Sequence, residues 1–218
     1  MTTSRHEQLL SRIQGVLGVI PQIHHFESEQ RDMTRGLWGK SLEFDIASFQ
    51  NAPRAGMTTC ATLGLSDYEL RDDKNKKPTH RIELLSALRD DTDFLKLTED
   101  PADKECFYED SLFYLACYIV NKNEYITVGD TWINFFSNQY QAFADHSELE
   151  HLFFMPPVLL SDTLKPSAVQ GHSVNWLLCV PISEAELDYC GRKGPEALQE
   201  LLIRKKIDIS DLFRKSVV

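Results

Sequence analysis

Leu9, Leu10, Ile13, Val16 and Leu17 recur at i, i+1, i+4, i+7 and i+8, which sets them on one helical face. The spacing predicts a helix over residues 7–18, stopped by Pro21, because the residue before a proline avoids helical backbone angles. From Leu42 the period changes to two. Leu42, Phe44 and Ile46 alternate with Glu43, Asp45 and Ala47, the pattern of a half-buried strand. Asn51-Ala52-Pro53-Arg54 reads as a turn. Met57 to Leu65, rich in Thr and small apolar residues, predicts a buried strand ending near Gly64. Arg71 to Lys77 holds six charges in seven residues and predicts a solvated loop. Thr79 to Leu88 predicts another strand, with Arg81 and Glu83 on one face and Ile82 and Leu84 on the other.

Tyr108 to Val120 is apolar nearly throughout and long enough for a buried helix. A short strand is expected at Tyr125–Val128, followed by a Gly129-Asp130 turn. Glu150 to Leu160 is strongly apolar but is interrupted by Pro156-Pro157, which removes two ladder donors. That places Phe153 and Phe154 on a strand expected at a sheet edge, where a partner can add a strand of its own. A helix covering residues 151–155 is the open alternative. Val174 to Ile182 is the strongest buried strand. Ser183 and Glu186 form a capping box that opens a helix ending near Gly191 or Gly194. Pro195 opens another, with Ala197, Leu198, Leu201 and Leu202 on one face, and Asp208 begins a last helical turn into Arg214. Strands come in consecutive runs without βα alternation. The class predicted is α+β: a central mixed, largely antiparallel sheet with helices packed on its faces. No internal linker divides the chain, so residues 1–218 are expected to form a single domain.

Composition narrows the function. The chain has 218 residues, 42% of them hydrophobic and 26% charged, which excludes bulk disorder. The longest apolar stretch, Leu112 to Val120, is nine residues, half of what a membrane span needs. Against 33 acidic residues stand 23 basic ones, a net charge of −10, so a broad phosphate-neutralising surface is not expected. Neither nucleic acid nor membrane is an expected partner. The charge is uneven: net −6 over residues 67–110, −7 over 111–190 and +3 over 191–218. An acidic body of this kind suits a basic protein partner. Five cysteines without a CxxC pair, and no leader-like apolar segment after the polar N-terminus, point to a reducing, cytoplasmic setting.

No catalytic constellation stands out. Gly64-Leu65-Ser66-Asp67 lacks the second glycine of a nucleophile elbow, and neither a phosphate loop nor GxGxxG occurs. His24 and His25 are adjacent and, on a strand, point to opposite sides. Cys60 lies in a Thr/Ala-rich strand and reads as a buried thiol. The candidate binding residues are Asp45, Ser66, Asp67, Arg81 and Glu83, expected as a polar network beside the sheet, together with Phe153 and Phe154. Arg81 and Glu83 form either a fold-stabilising ion pair or part of a ligand site. No catalytic residue, metal or cofactor is expected. The rival class is an enzyme whose polar or metal pocket is built from Asp45, Arg81, Glu83 and His172.

Several of these segments, in order, resemble the suppressor-of-fused domain family. They are Leu42-Glu43-Phe44-Asp45-Ile46, the strand Met57–Leu63 running into Gly64-Leu65-Ser66-Asp67, and Arg81-Ile82-Glu83-Leu84. Val174–Leu178, Val180-Pro181-Ile182-Ser183, Glu186, Asp211, Arg214 and Ser216-Val217 continue the series. The similarity spans roughly residues 30–218. The resemblance implies a domain without known enzymatic chemistry. Animal members bind zinc-finger transcription factors, clamping an extended peptide between two lobes, and this chain is about as long as one lobe. Bacterial single-domain relatives are associated with immunity proteins that neutralise toxin domains. The function expected is therefore a non-catalytic protein-binding domain of the immunity type, whose partner is a basic toxin or an extended peptide.

Overall fold

The structure is a computed structural model that describes residues 4–28, 42–71, 79–93, 107–139, 141–161 and 163–218. The chain runs α1 (Arg5–Leu17), β1 (Gln22–Ser28), β2 (Leu42–Phe49), β3 (Met57–Leu63) and β4 (Arg81–Arg89). Then come α2 (Phe107–Lys122), β5 (Thr131–Trp132), α3 (Phe135–Gln139), α4 (Gln141–His146) and β6 (His151–Met155). β7 (Ser167–Val169), β8 (His172–Ile182), α5 (Glu184–Lys193) and α6 (Pro195–Arg204) complete it. The charged stretch after Arg71 lies outside the described residues.

The strands form one mixed sheet in the order β1-β2-β3-β4-β8-β6-β5, with β7 also paired to β8. Among the described residues only β4 and β8 are parallel; the other pairs are antiparallel. A parallel neighbour needs a long crossover, and α2 lies in the stretch that joins β4 to β8. The sheet carries a core on each face. Leu112, Leu115, Ala116 and Ile119 of α2 pack with Phe44, Leu84, Phe154 and Leu177 on one side. Leu9 and Ile13 of α1 and Leu198 and Leu202 of α6 pack with Leu85, Phe153, Trp176 and Leu178 on the other. The period of two along each strand divides the side chains between these cores. The architecture is α+β, with helices on both faces of a largely antiparallel sheet.

Helix boundaries follow local chemistry. Ser183 accepts from the Glu186 amide at 3.2 Å, and Glu186 accepts from the Ser183 amide at 3.0 Å, the capping box read from the sequence. α5 runs on to Lys193, with Gly194 as its cap. A second capping box opens α1, where Glu7 N donates to Ser4 Oγ at 3.1 Å and Ser4 N to Glu7 Oε2 at 2.7 Å. Gly18, at φ +75°, closes that helix in the left-handed region.

Three expectations need correction. β6 is not an edge strand, because β8 flanks it on one side and β5 on the other. All five of its residues are buried, and Phe153 and Phe154 are 0% and 1% exposed, in opposite cores. The double proline ends the strand at Met155 and starts a 3-10 turn at Pro157, which is how the missing donors are accommodated. Secondly, residues 125–128 form no strand; the short strand lies six residues further on, as β5. Thirdly, the segment after Asp208 forms hydrogen-bonded turns in place of a helical turn, with Asp211 N donating to Asp208 O at 3.2 Å and Arg214 N to Asp211 O at 3.3 Å.

Candidate functional site

β3 ends at Leu63, and the chain turns sharply through Gly64 and a 3-10 turn, Leu65–Asp67. Gly64 adopts φ +121°, and a Cβ there would lie 3.2 Å from the His6 ring, so both the backbone and the close approach require glycine. Two side chains of β4 hold this turn. Glu83 is fully buried: Oε1 accepts from Gly64 N and Ser66 N at 3.1 Å each, and Oε2 accepts from Thr62 Oγ at 2.5 Å. Thr62 Oγ in turn accepts from Leu84 N at 2.8 Å. Arg81 takes the carbonyls, donating to Ser66 O at 2.6 Å and Asp67 O at 2.8 Å, and its other nitrogen reaches Glu69 Oε1 at 3.0 Å.

The structure brings Arg81 and Glu83 together with Ser66 and Asp67, while among the described residues Asp45 reaches the group only through His6. The expected ion pair between Arg81 and Glu83 does not form: Glu83 spends both oxygens on N–H and O–H donors, and Arg81 pairs with Glu69. Burial pushes the Glu83 carboxyl above the usual carboxylate range, and its hydrogen bonds to Thr62, Ser66 and Gly64 oppose the shift. The two residues clamp one turn from its donor side and its acceptor side, which leaves little valence free for a ligand.

The start of α1 adds a second layer. Arg5 donates to Asp67 Oδ1 at 2.7 Å and to Ser66 O at 3.2 Å. His6 Nε2 lies 2.9 Å from Asp67 Oδ2, and its Nδ1 lies 3.9 Å from Asp45 Oδ2. Asp45 meets His25 Nδ1 at 2.8 Å. The hydrogen bond to Asp67 raises the His6 pKa against the lowering effect of burial, and the same bond lowers Asp67. His25 is raised by its bond to Asp45. Arg5, His6 and His25 were not singled out as site residues from the sequence. The Ser4–Glu7 capping box, which fixes where α1 begins, is the signal that sets Arg5 and His6 in its first turn.

His172 does not join this group. It stands exposed at the first position of β8, opposite Val169 in a hairpin, and none of the described polar contacts of Asp45, Arg81 or Glu83 involves it. Among the described residues, no three His, Cys, Asp or Glu side chains are grouped to hold a metal ion. His24 and His25 diverge as a strand requires: His24 Nε2 lies 3.7 Å from Glu109 Oε1 of α2, away from the His25–Asp45 pair. Glu109 there accepts from Ser48 Oγ at 2.9 Å, next to Cys60. The Cys60 thiol is driven far up by burial, so it stays protonated and unreactive.

The sheet edge that sequence placed at residues 151–160 lies instead at β5. It fronts a groove of about 840 Å³ lined by Tyr118, Glu124, Asp130, Trp132, Asp188 and Arg192, among others. Ile133 and Val128, which flank β5, are 59% and 45% exposed.

Comparison with known proteins places this geometry. The chain is 29% identical over 216 residues to immunity protein YqcF of Bacillus subtilis (strain 168), covering 99% of this chain and 98% of that protein. Among solved structures it is similar to a suppressor of fused homologue from Neisseria gonorrhoeae FA 1090, with a TM-score of 0.64 at 16% identity. That match covers 98% of this chain and 97% of the other. It is also similar to a chain of the Sufu–Fu complex, with a TM-score of 0.62 at 15% identity, covering 96% of this chain and 91% of that one. At these identities the structures speak for the fold alone. No helix among the described residues is long and apolar enough to cross a membrane. The match to the suppressor of fused protein model runs from residue 40 to residue 215, and on that ground the chain belongs to the suppressor of fused family.

Proposed function

We propose that this chain is a non-catalytic protein-binding domain of the immunity type, which captures and neutralises a toxin domain in the cytoplasm. The observation that carries the reading is the end-to-end likeness to immunity protein YqcF, with no large segment unmatched on either side. Two structural features support it. The charged groups of the turn clamp are spent within the fold, so that cluster serves to hold shape. The open side of β5 fronts a groove in which Glu124, Asp130 and Asp188 outnumber Arg192. A basic, extended segment of a partner finds strand-type hydrogen bonds there and a favourable field.

The test is co-expression with the product of the adjacent gene. The expected result is a stoichiometric complex on gel filtration and relief of that product's growth inhibition. Undiminished toxicity, with no complex at micromolar concentration, refutes the pairing. The same experiment on immunity protein YqcF with its own neighbour separates a wrong partner from a wrong function.

A further inference from the structure

β8 is shared unevenly by its neighbours. On one side β4 pairs with it over Val174–Leu178. On the other side β7 faces His172–Val174 and β6 faces Leu178–Ile182. Asn175, Trp176 and Leu177 fall between β7 and β6, with no strand opposite them among the described residues. The ladder decides which backbone groups face this gap. Phe154 directs its N–H to Asp130 O and its C=O to Gly129 N, on the β5 side. By alternation Phe153 and Met155 turn theirs towards β8, where they meet Val180 and Leu178. Trp176, two residues before Leu178, turns its N–H and C=O to that same side. Continued by two residues, the β6 register would set Pro157 opposite Trp176. Pro157 has no N–H, so it cannot serve the Trp176 carbonyl, and the chain leaves in a 3-10 turn.

This gap borders a cavity of about 380 Å³. Pro156, Pro157, Val158, Leu164 and Pro166 supply apolar wall, and Lys165 supplies an exposed ammonium. The Trp176 side chain is buried in the core, where its Nε1 donates to Ser167 Oγ at 3.2 Å. The volume falls within the roughly 300–1,000 Å³ of small-ligand sites. His80, Thr127, Ser161 and Asn175 add polar groups to the lining, and Lys165 is its one Lys or Arg among the described residues. A backbone donor–acceptor pair, apolar wall and an ammonium match a specific chemistry: an amide N–H, an apolar side chain and a carboxylate on adjacent atoms.

We propose that this cavity binds the free C-terminal residue of a partner polypeptide, with an apolar side chain. The terminal amide donates to the Trp176 carbonyl, the carboxylate faces Lys165 and the Trp176 N–H, and the side chain enters between the prolines. The site stands whether or not the β5 edge holds a partner.

The probes are acetyl-Gly-Gly-Leu with a free carboxylate, the same peptide with a C-terminal amide, and N-acetylleucine. Each is titrated calorimetrically against the full chain, with amide exchange read at Trp176. The free acid should bind and slow exchange at Trp176, and the amide should bind about tenfold more weakly. Lys165→Ala should weaken the acid by about the same factor and leave the amide unchanged. Val158→Trp, which fills the mouth, should abolish both at an unchanged melting temperature; Lys165→Ala keeps the test decisive if that variant does not fold. Equal affinity for acid and amide, or no binding by either, overturns the proposal. N-acetylleucine carries the same amide, side chain and carboxylate and should bind comparably to the tripeptide acid; its failure to bind overturns the assignment of the site to the terminal residue alone.

Discussion

Arg214 holds Glu186 through two parallel hydrogen bonds, Nη1 to Oε1 at 2.7 Å and Nη2 to Oε2 at 2.9 Å, and the two side chains are 8% and 0% exposed. Glu186 is also the partner of Ser183 in the α5 capping box, and it accepts from Val217 N at 3.0 Å. Arg214 donates to Pro181 O at 2.8 Å as well. One ion pair thus joins the end of β8, the start of α5 and the C-terminal segment. Removing one partner leaves a buried charge unmatched. Arg214→Ala should therefore destabilise the fold by about 3–5 kcal/mol, far more than loss of an exposed pair. Replacing both residues with apolar ones of similar volume should recover part of that loss. Urea unfolding at neutral pH measures both, and an Arg214→Ala variant within about 1 kcal/mol of the parent contradicts the buried-pair account.

The turn clamp distinguishes charge from hydrogen bonding at Glu83. Glu83→Gln keeps a carbonyl oxygen for the Gly64 and Ser66 amides, and its new N–H groups can donate to Thr62. Glu83→Leu leaves both amides without an acceptor, and each buried unpaired group costs about 1–3 kcal/mol. The Gln variant should stay close to the parent in unfolding midpoint while the Leu variant falls well below it. Equal losses in the two would show that the negative charge itself holds the turn.

These two clamps mark how far the sequence could be read. Ser66, Asp67, Arg81 and Glu83 were legible as a group because β4 and the turn after β3 are near in sequence and carry clear period-two flanks. β2, β3, β4, α2 and β8 were legible for the same reason, since each has a long apolar pattern. β5, at two residues, and α3 and α4, at five and six, are too short for periodicity to register. Missing β5 turned β6 into a false edge, because Pro156-Pro157 signals the end of pairing equally well for an interior strand. The contacts of Arg5 and His6 with Asp67 span more than 60 residues of sequence and could be found only once α1 was docked.

The docking of α1 should depend on pH. His6 has a folded pKa raised above its ordinary 6.5, so its contribution is complete below that value and is lost as pH rises through the folded pKa. Asp67 has a folded pKa lowered below its ordinary 3.8, so its contribution is present above that value and is lost as pH falls through the folded pKa. The helix start is therefore best held between these two ordinary values. Arg5, Asp45 and Glu83 face the same contact. His6→Gln should lower the melting temperature more at pH 5.5 than at pH 8. A difference that is the same at both values means that the ring contact with Gly64, and not the ionic bond, is what His6 contributes.

The last prediction concerns the open edge. Phe154 bonds towards β5 while Phe153 bonds towards β8, so the Thr131–Phe153 pair exchanges no ladder bonds. Thr131 accordingly turns its N–H and C=O away from β6, to the open side, and Trp132 turns its own inward. Thr131→Pro removes one outward donor and leaves the inner ladder intact, because proline is tolerated where the N–H faces solvent. It should leave the unfolding free energy within about 1 kcal/mol of the parent and abolish capture of a partner that adds a strand at β5. Trp132→Pro is the control, since it breaks the inner pair and should destabilise the fold. The acidic groove adds a salt dependence: affinity should fall as ionic strength passes about 0.15 M, where the Debye length is roughly 8 Å, and fall similarly on Glu124→Lys or Asp188→Lys. Full binding by a folded Thr131→Pro protein would exclude strand addition at this edge, and an affinity indifferent to salt and to both charge reversals would exclude the electrostatic part.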